Sequence, residues 1–226
     1  MSSPLSFLTV IVPSRGRPYN IVEYVDAWIA TSIGAAKLIV AVDDDDPMLD
    51  EYQANCDGSY ELIVGPRLRM GPTLNKIAVD VAPTTKIVGF TGDDHRFRTP
   101  RWDHTVVERL THMGKGIAYG DDLIQGPNLP TAVFMTSNIV ETLGYMAPPT
   151  LTHLFLDDFW RDLGNATNCL EYMPDIVIEH MHPLAGKAQQ DAGYDEVNTL
   201  YAKDEAAYRQ WQADESQAAI QKIKNL

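Results

Sequence analysis

The chain has 226 residues, and its 18 lysine and arginine residues are outnumbered by 31 aspartate and glutamate residues, giving a net charge of −13. Such an acidic chain is poorly suited to non-specific nucleic-acid binding, which requires a basic surface, although a local basic cleft stays compatible with it. Apolar residues make up 45% of the chain, so we expect a buried core rather than global disorder. The length predicts a single domain over residues 1–226.

Cysteine content and hydropathy bear on the cellular compartment of the protein. Cys56 and Cys169 are too few for a disulfide framework or a cysteine-rich zinc site, and they fit a reduced, cytoplasmic environment. No segment reaches the roughly 18 consecutive apolar residues of a membrane span. The first apolar run has no basic start and ends at Pro13, so it predicts a strand rather than a signal peptide.

Short apolar strands alternate with amphipathic helices through the first half of the chain. The runs that predict buried strands lie at 7–12, 37–42, 61–64 and 86–91. Apolar positions at helical spacing predict helices at 18–29, 74–81 and 102–113, the last ended by Gly114. This alternation predicts an α/β fold with a mostly parallel central sheet flanked by helices.

The second half is less regular. Strands are predicted at 116–119, 131–136, 170–173 and 176–179. Helices are predicted at 154–163 and from Ser137, which we expect to be the cap, to Gly144. The polar stretch from about 195 to 226 has scattered apolar positions and predicts one or two C-terminal helices that pack by one face.

Acidic residues follow two of the predicted strands directly. Asp43 and Asp44 come after the second strand, and Asp93 and Asp94 come after the fourth. Ligands of open α/β sheets bind beyond the carboxyl ends of the strands, where paired carboxylates can hold a divalent cation and a ribose hydroxyl. The alternative is a set of solvated turn acids or helix caps, which we prefer for residues 45 and 46.

Basic residues are concentrated although the chain is acidic. Residues 61–101 carry seven lysine and arginine residues, including Arg69, against four acids, and Arg15 and Arg17 follow the first strand. Arginines together with a cation are a common means of neutralising a diphosphate. Ordinary surface ion pairing is the alternative for any one of them.

Two further groups of residues have side chains suited to catalysis or metal binding. Asp157 and Asp158 lie among aromatic and aliphatic residues, where partial desolvation raises the pKa of a carboxylate toward the range of a general base. His180 and His182 follow a predicted strand, and either can supply an imidazole to a metal or serve the fold. The segment Tyr119-Gly120-Asp121-Asp122 resembles the catalytic turn of polymerases, but the chain is too short for a polymerase and lacks its basic surface.

Taken in chain order, these residues resemble the family 2-like glycosyltransferases of the GT-A fold. The similar segments are LTVIVPSRGRP (8–18), IVAVDDDDP (39–47), GPTLNKIAVDVA (71–82), IVGFTGDDHRF (87–97), LFLDDFWRDLG (154–164) and EHMHP (179–183). The Asp-x-Asp-Asp motif of the family reads Thr91-Gly92-Asp93-Asp94 here, so its first acid is absent. The Arg/Gln-x-x-Arg-Trp motif of the family is not evident. The compact length most resembles bacteriophage or bacterial members, which implies the cytoplasm of a host cell if the protein is phage-encoded.

The resemblance implies a GT-A, Rossmann-like sheet with a C-terminal helical extension, and it implies roles for particular residues. Asp94 and His182 would bind the metal, Mn²⁺ or Mg²⁺, with Asp93 and His180 in reserve. Asp157 would be the catalytic base, with Asp158 as its alternative. The residues implied to bind the nucleotide sugar are Pro13, Ser14, Arg15, Arg17, Asp43, Asp44, Arg69, Asn75 and Asp93.

The expected activity is metal-dependent, inverting transfer of a sugar from a nucleoside-diphosphate sugar, with UDP-sugars favoured. The acceptor would be a hydroxyl of a protein, a glycan or a modified DNA base. A nucleotidyltransferase is the first alternative, but its usual glycine-rich phosphate loop is reduced here to Gly16. A non-catalytic nucleotide-sugar-binding protein is the second.

Overall fold

The computed structural model describes the backbone of residues 6–226 and their side chains except those of residues 6, 184, 192 and 194. Its strands are β1 (Ser6–Ser14), β2 (Ala36–Asp43), β3 (Glu61–Gly65), β4 (Thr85–Phe90), β5 (His95–Phe97), β6 (Ile117–Asp121), β7 (Val133–Thr136) and β8 (Leu170–His180). Its α-helices are α1 (Pro18–Thr31), α2 (Leu49–Asn55), α3 (Met70–Val81), α4 (Trp102–Met113), α5 (Ser137–Leu143), α6 (Leu156–Thr167), α7 (Ala192–Asn198), α8 (Tyr201–Asp214) and α9 (Ser216–Lys224). Short 3-10 turns lie at Ala82–Thr84, Gly126–Asn128 and Pro183–Ala185.

The strands form one sheet in the order β3-β2-β1-β4-β7-β6-β8-β5. The pairings of β1 with β2, β1 with β4, β2 with β3 and β6 with β8 are parallel. The pairings of β4 with β7, β6 with β7 and β5 with β8 are antiparallel. The predicted α/β class with a mostly parallel sheet and flanking helices is therefore confirmed.

Both faces of the central strands are covered, which is why their sequences are continuously apolar. Successive side chains of a strand point to opposite faces. Accordingly, Ile11 of β1 packs with Leu74 of α3 on one face. Its neighbours Val10 and Val12 pack with Trp28 of α1 on the other face. The helices thus close two hydrophobic layers and leave the strand ends for the site.

Several local predictions differ from the structure. Helix α2 and the three-residue strand β5 were not predicted. The two strands predicted at 170–173 and 176–179 form the single strand β8, since a shift in its register against β6 accommodates Pro174. The prediction of Ser137 as the cap is wrong: Ser137 is the first residue of α5, and its buried hydroxyl has no hydrogen-bond partner among the described residues.

The C-terminal part contains three helices, α7 to α9, rather than the one or two expected. Helix α8 packs against α6, where the ring of Trp211 meets that of Phe159 edge-on at 5.0 Å. The hydroxyl of Tyr208 donates a hydrogen bond to Asp162 of α6 at 2.8 Å. These helices therefore support α6, which carries the predicted base.

Candidate functional site

A cavity of about 660 Å³ lies where the neighbouring parallel strands β1, β2 and β4 end. Ligands of open α/β sheets bind at this edge. Most of the predicted site residues line this cavity: Pro13, Ser14, Arg15, Arg17, Asp43, Arg69, Asp93, Asp94, Asp157, His180 and His182. Residues that are distant in the sequence thus meet in one space.

Three predicted residues do not line the cavity. Asp44 is exposed. The amide of Asn75 donates to the carbonyl of Ala147 at 2.8 Å, and its oxygen accepts the backbone N–H groups of Met146 and Ala147 at 2.8 and 2.9 Å. Asp158 makes an ion pair with Arg161 at 2.7 Å along α6. The side chain of Asn75 thus holds the backbone at 146–147 in place.

A chain of hydrogen bonds fixes the loop between β1 and α1. The backbone N–H of Arg17 donates to the hydroxyl of Tyr52 on α2 at 2.8 Å. The hydroxyls of Tyr52 and Ser14 lie 2.7 Å apart, and Ser14 donates to Asp93 at 2.6 Å. Because the hydroxyl of Ser14 donates its proton to Asp93, it accepts the hydroxyl proton of Tyr52. Hydrogen bonds linked in this way strengthen one another. The short helix α2 therefore holds the loop in place.

The end of β2 is tied to the same loop. Arg15 donates to Asp43 at 2.9 Å, and burial nevertheless raises the pKa of that carboxyl above its ordinary value. Asp46 is buried and accepts the backbone N–H of Gly16 at 2.8 Å. The positive φ of Gly16, 67°, is one that glycine adopts without strain. Asp46 thus serves the structure of the loop, as we prefer from the sequence, but it is buried rather than solvated.

The Asp-x-Asp-Asp position folds as a tight turn from residue 91 to 95. The N–H of His95 donates to the carbonyl of Gly92 at 3.2 Å. A Cβ at Gly92 would lie 2.5 Å from a carboxylate oxygen of Asp94, so a side chain there would force the turn to shift. Thr91 is fully buried, and its hydroxyl lies 2.8 Å from that of Tyr24. A carboxylate in place of Thr91 would be desolvated, which gives a physical reason for the missing first acid.

Asp94, His95 and His180 form a group whose ligand atoms all lie within 4.8 Å of one another. The antiparallel pairing of β5 with β8 sets His95 opposite His180, and their rings stack at 4.2 Å. Asp94 lies 3.4 Å from the Nε2 of His180. His95 was not among the predicted ligands, although it directly follows the acidic pair that drew attention to this loop.

The donor set fits a divalent cation of the transition series, since a carboxylate and imidazoles are ligands that such ions accept. His95 is the less available of the two imidazoles because its Nδ1 accepts the N–H of Gly92 at 3.1 Å. His182 also lines the cavity, with its ring 5.0 Å from that of His180. Its role as a ligand stays a prediction.

The charges of His180 and of the carboxylates beside it strongly affect one another's pKa values. Burial alone lowers the pKa of His180, but the carboxylates of Asp122 and Asp94, 3.9 and 3.4 Å from its ring nitrogens, raise it to about 9. Burial likewise raises the pKa of Asp94, but the imidazoles of His180 and His95, each 3.4 Å from its carboxylate, outweigh it and hold that pKa well below its usual range. The proton on His180 thus occupies a position that a cation could take.

Asp157 lies in the first turn of α6 and faces the cavity beside Trp160. Burial, reinforced by the charge of Asp158, raises the pKa of Asp157 to about 6. The ring of Trp160 packs against Phe90 with their centroids 5.3 Å apart, so the wall beside the carboxylate is apolar. A carboxylate in this state accepts a proton more readily than an ordinary one.

Two acids from the C-terminal part hold the arginines of the cavity. Asp191 accepts two hydrogen bonds from Arg17, at 2.7 and 2.6 Å. Glu196 of α7 pairs with Arg67 and Arg69 at 2.6 Å each. Sequence analysis missed these acids because pairing over more than a hundred residues leaves no local pattern.

His153 is a further cavity residue that the sequence did not single out. Burial, aided by the charges of Arg69 and Arg17, lowers its pKa to about 4, so the imidazole is neutral near pH 7. It lies in the turn just before α6, where one histidine among apolar residues gives no distinctive signal.

No protein-family model matches the chain, and no curated protein matches it in sequence. Solved structures match in fold. S. aureus TarS has a TM-score of 0.61 and 12% identity, covering 76% of this chain and 36% of the TarS chain. Residues 1–349 of TarS in complex with UDP give a TM-score of 0.60 and 12% identity, covering 76% of this chain and 59% of theirs.

A second protein matches nearly the whole chain. The mannosyltransferase PcManGT from Pyrobaculum calidifontis, in complex with GDP-Man and Mn²⁺, has a TM-score of 0.58 and 13% identity, covering 98% of this chain and 74% of its own. This chain has the GT-A fold, which confirms the expectation drawn from its sequence. It spans only 36% to 59% of the length of the TarS chains just described. Among residues 6–226, no helix combines the length and apolar character that crossing a bilayer requires.

Proposed function

We propose that this protein is a metal-dependent glycosyltransferase that moves a sugar from a nucleoside-diphosphate sugar to an acceptor hydroxyl. One observation carries the proposal. Arginines, a group of carboxylate and imidazole ligands and a carboxylate of raised pKa line the same cavity, at the edge of a GT-A sheet. The matched structures with UDP and with GDP-Man and Mn²⁺ support the class of donor.

The loops after β1, β2 and β3 are proposed to bind the donor. Arg15, Arg17 and Arg69 supply positive charge for the diphosphate, since guanidinium groups bind phosphate oxygens through paired hydrogen bonds. Asp43 is proposed to accept a hydrogen bond from the N–H of a uracil-type base, and we therefore favour a UDP-sugar. Asp93, close to the β1 loop, is proposed to face the ribose.

Asp94 and His180 are proposed to hold the cation together with His182. Imidazole ligands suit Mn²⁺ better than Mg²⁺, which prefers oxygen ligands. A bound cation of this kind supplies Lewis acidity toward the leaving diphosphate. His95, with its Nδ1 on Gly92, stacks on His180 and keeps that ring facing Asp94.

Asp157 is proposed to be the general base. It takes the proton from the acceptor hydroxyl while the oxygen of that hydroxyl forms a bond to the anomeric carbon of the donor. The bond from the anomeric carbon to the phosphate oxygen breaks, and the nucleoside diphosphate leaves with its electron pair. Attack from the opposite face inverts the anomeric configuration. The acceptor classes remain a protein, a glycan or a modified DNA base, and we place the reaction in the cytoplasm.

Thermal stabilisation by donors tests the proposal. UDP-, GDP- and dTDP-sugars are compared with and without Mn²⁺, and a donor at 100 times its Kd stabilises the protein by about 2.7 kcal/mol. Slow donor hydrolysis without acceptor is then measured to separate an enzyme from a binding protein. Stabilisation by nucleoside triphosphates but not by nucleotide sugars would support the nucleotidyltransferase alternative, and stabilisation without turnover would support a binding protein.

A further inference from the structure

The turn that precedes α6 is held by a buried carboxylate from the C-terminal part of the chain. Asp204 of α8 is fully buried. It accepts the backbone N–H groups of Thr152, His153 and Leu154 at 3.1, 2.7 and 2.9 Å. Three successive amides converging on one anion satisfy donors that would otherwise be buried without partners.

The same turn is clamped from two further sides. Lys203 donates to the hydroxyl of Thr152 at 2.9 Å. The N–H of Gly71, at the start of α3, donates to the carbonyl of Thr152 at 2.9 Å. A Cβ at Gly71 would lie 2.5 Å from the carbonyl oxygen of Leu151, so this close approach of two backbones requires glycine.

Phe155 completes the connection to α6. It has a φ of 65°, a left-handed conformation that costs energy in a residue with a bulky side chain. Its ring packs against those of Tyr201 and Tyr208 on α8, with centroids 5.3 and 5.9 Å away. Helix α6 begins at the next residue, Leu156, and Asp157 follows. Helix α8 therefore determines where the first turn of α6 lies.

We infer that Asp204 is a positioning residue for the catalytic base: its carboxylate fixes the turn at 152–154 and thereby the place of Asp157 in the cavity. The inference rests on the proposed role of Asp157. Proton transfer depends closely on distance, and a displacement of about 1 Å can cost about 100-fold in rate. The residues proposed to bind the donor lie on the loops after β1, β2, β3 and β4, outside the turn at 152–154, so loss of this anchor is expected to spare donor binding.

Asp103 offers a matched control elsewhere in the fold. It is also fully buried, and it accepts the N–H groups of Ile33 and Ala35 at 3.0 and 2.8 Å and the hydroxyl of Ser32 at 2.7 Å. It lies on α4, joins that helix to the segment between α1 and β2, and is not part of the cavity lining. Asp103→Asn thus removes a comparable carboxylate without touching the turn before α6.

The experiment compares Asp204→Asn with Asp103→Asn in the full chain. We expect both to lower the Tm, but only Asp204→Asn to lower kcat by tenfold or more, with the donor Kd within twofold of wild type in both. Hydrogen exchange should show lost protection at 152–154 in Asp204→Asn alone. Equal kcat losses in the two variants, or proportional losses of kcat and donor affinity in Asp204→Asn, would overturn the inference.

A second variant covers the case in which Asp204→Asn does not fold. Lys203 is exposed, so Lys203→Ala removes one bond to the turn and leaves the core intact. We expect kcat to fall a few-fold with an unchanged donor Kd, and an unchanged kcat would count against the inference. If Asp157→Asn retains full turnover, the proposed role of Asp157 as the base itself fails, and that result does not depend on either variant.

Discussion

Replacing Asp157 by Asn should make the protein more stable and catalytically impaired at once. Burial and the charge of Asp158 raise the pKa of Asp157 from 3.8 to about 6. Between these two values the folded state binds the proton more tightly than the unfolded state, so the free energy of unfolding of the wild type falls as the pH rises from about 4 to 6. Above pH 6 the wild type carries the full cost of the buried charge, which the Asn variant lacks.

The size of this stabilisation follows from the pKa. A difference of about two in pKa corresponds to about 3 kcal/mol. Asp157 is partly exposed, and solvent screening reduces the cost, so we expect Asp157→Asn to gain about 1–2 kcal/mol at pH 8. Below pH 4 the gain should vanish. Urea denaturation of both proteins at pH 8 and pH 3.5 measures the difference.

The kinetic half of the prediction uses the same variant. Loss of a positioned base costs about 10²–10⁴ in rate, so kcat should fall by that factor while the donor Kd stays near wild type. In the wild type, kcat should decline below about pH 6 because the protonated carboxyl of Asp157 cannot accept the acceptor's proton. An Asp157→Asn enzyme with full kcat, or one less stable than wild type at pH 8, would refute the reasoning.

Asp158→Asn is the matched control because Asp158 neighbours Asp157 but pairs with Arg161 along the helix. Its kcat should stay near that of wild type. If Asp158→Asn is instead the inactive variant, the two acids exchange roles and the mechanism stands. If neither variant loses activity, inversion by an aspartate base fails, and a retaining transferase or a binding protein becomes the better explanation.

Three further changes test the donor side of the cavity. Asp94→Ala should weaken donor binding in the presence of Mn²⁺ far more than Asp45→Ala, and titration calorimetry with and without EDTA checks this; equal affinity in both conditions would exclude the metal. Arg15→Ala should raise the donor Kd by roughly 10- to 100-fold, as loss of a charged hydrogen bond worth about 1.5–3 kcal/mol implies; an unchanged Kd would show that the β1 loop does not meet the donor. Glu196→Gln should lower the donor Kd several-fold, because Glu196 pairs with Arg67 and Arg69 and competes with the diphosphate for them; a higher Kd would contradict that role.

The central sheet and much of the cavity could be predicted because their signals are local. Apolar runs mark β1, β2 and β4, and the parallel arrangement brings the residues that follow them to one edge. Strand β5 has only three residues and exists through its pairing with β8. No periodicity reveals so short a strand, and so the stacking of His95 on His180 was missed with it. Helix α2 was missed for a related reason: its seven residues bury only Tyr52.

Residue type alone misleads where one side chain suits two purposes. Asn75 lies in a segment that resembles a donor-binding helix, yet an amide serves equally well to bind a backbone, and here both its donor and its acceptor do so. The segment ending in Asp122 gives the opposite lesson. Its likeness to a polymerase turn was rejected on chain length and charge. The structure shows the carboxylate accepting the N–H groups of Ile124, Gln125 and Gly126 at 2.7–3.0 Å.

The acids of this chain therefore separate by what their oxygen atoms already bind. Asp122 and Asp204 each accept three backbone N–H groups, and such a carboxylate is committed to shaping a turn. Asp43 and Asp94 meet charged or ionisable side chains: Arg15, which can move when a ligand arrives, and the histidines, which can also exchange a proton. Asp157 accepts the N–H of Asp158 and otherwise faces the cavity. Sequence places all of these acids near strand or helix ends, but only the fold determines whether amides or a ligand reach them, because an anchoring amide can come from a distant segment, as those of residues 152–154 do for Asp204.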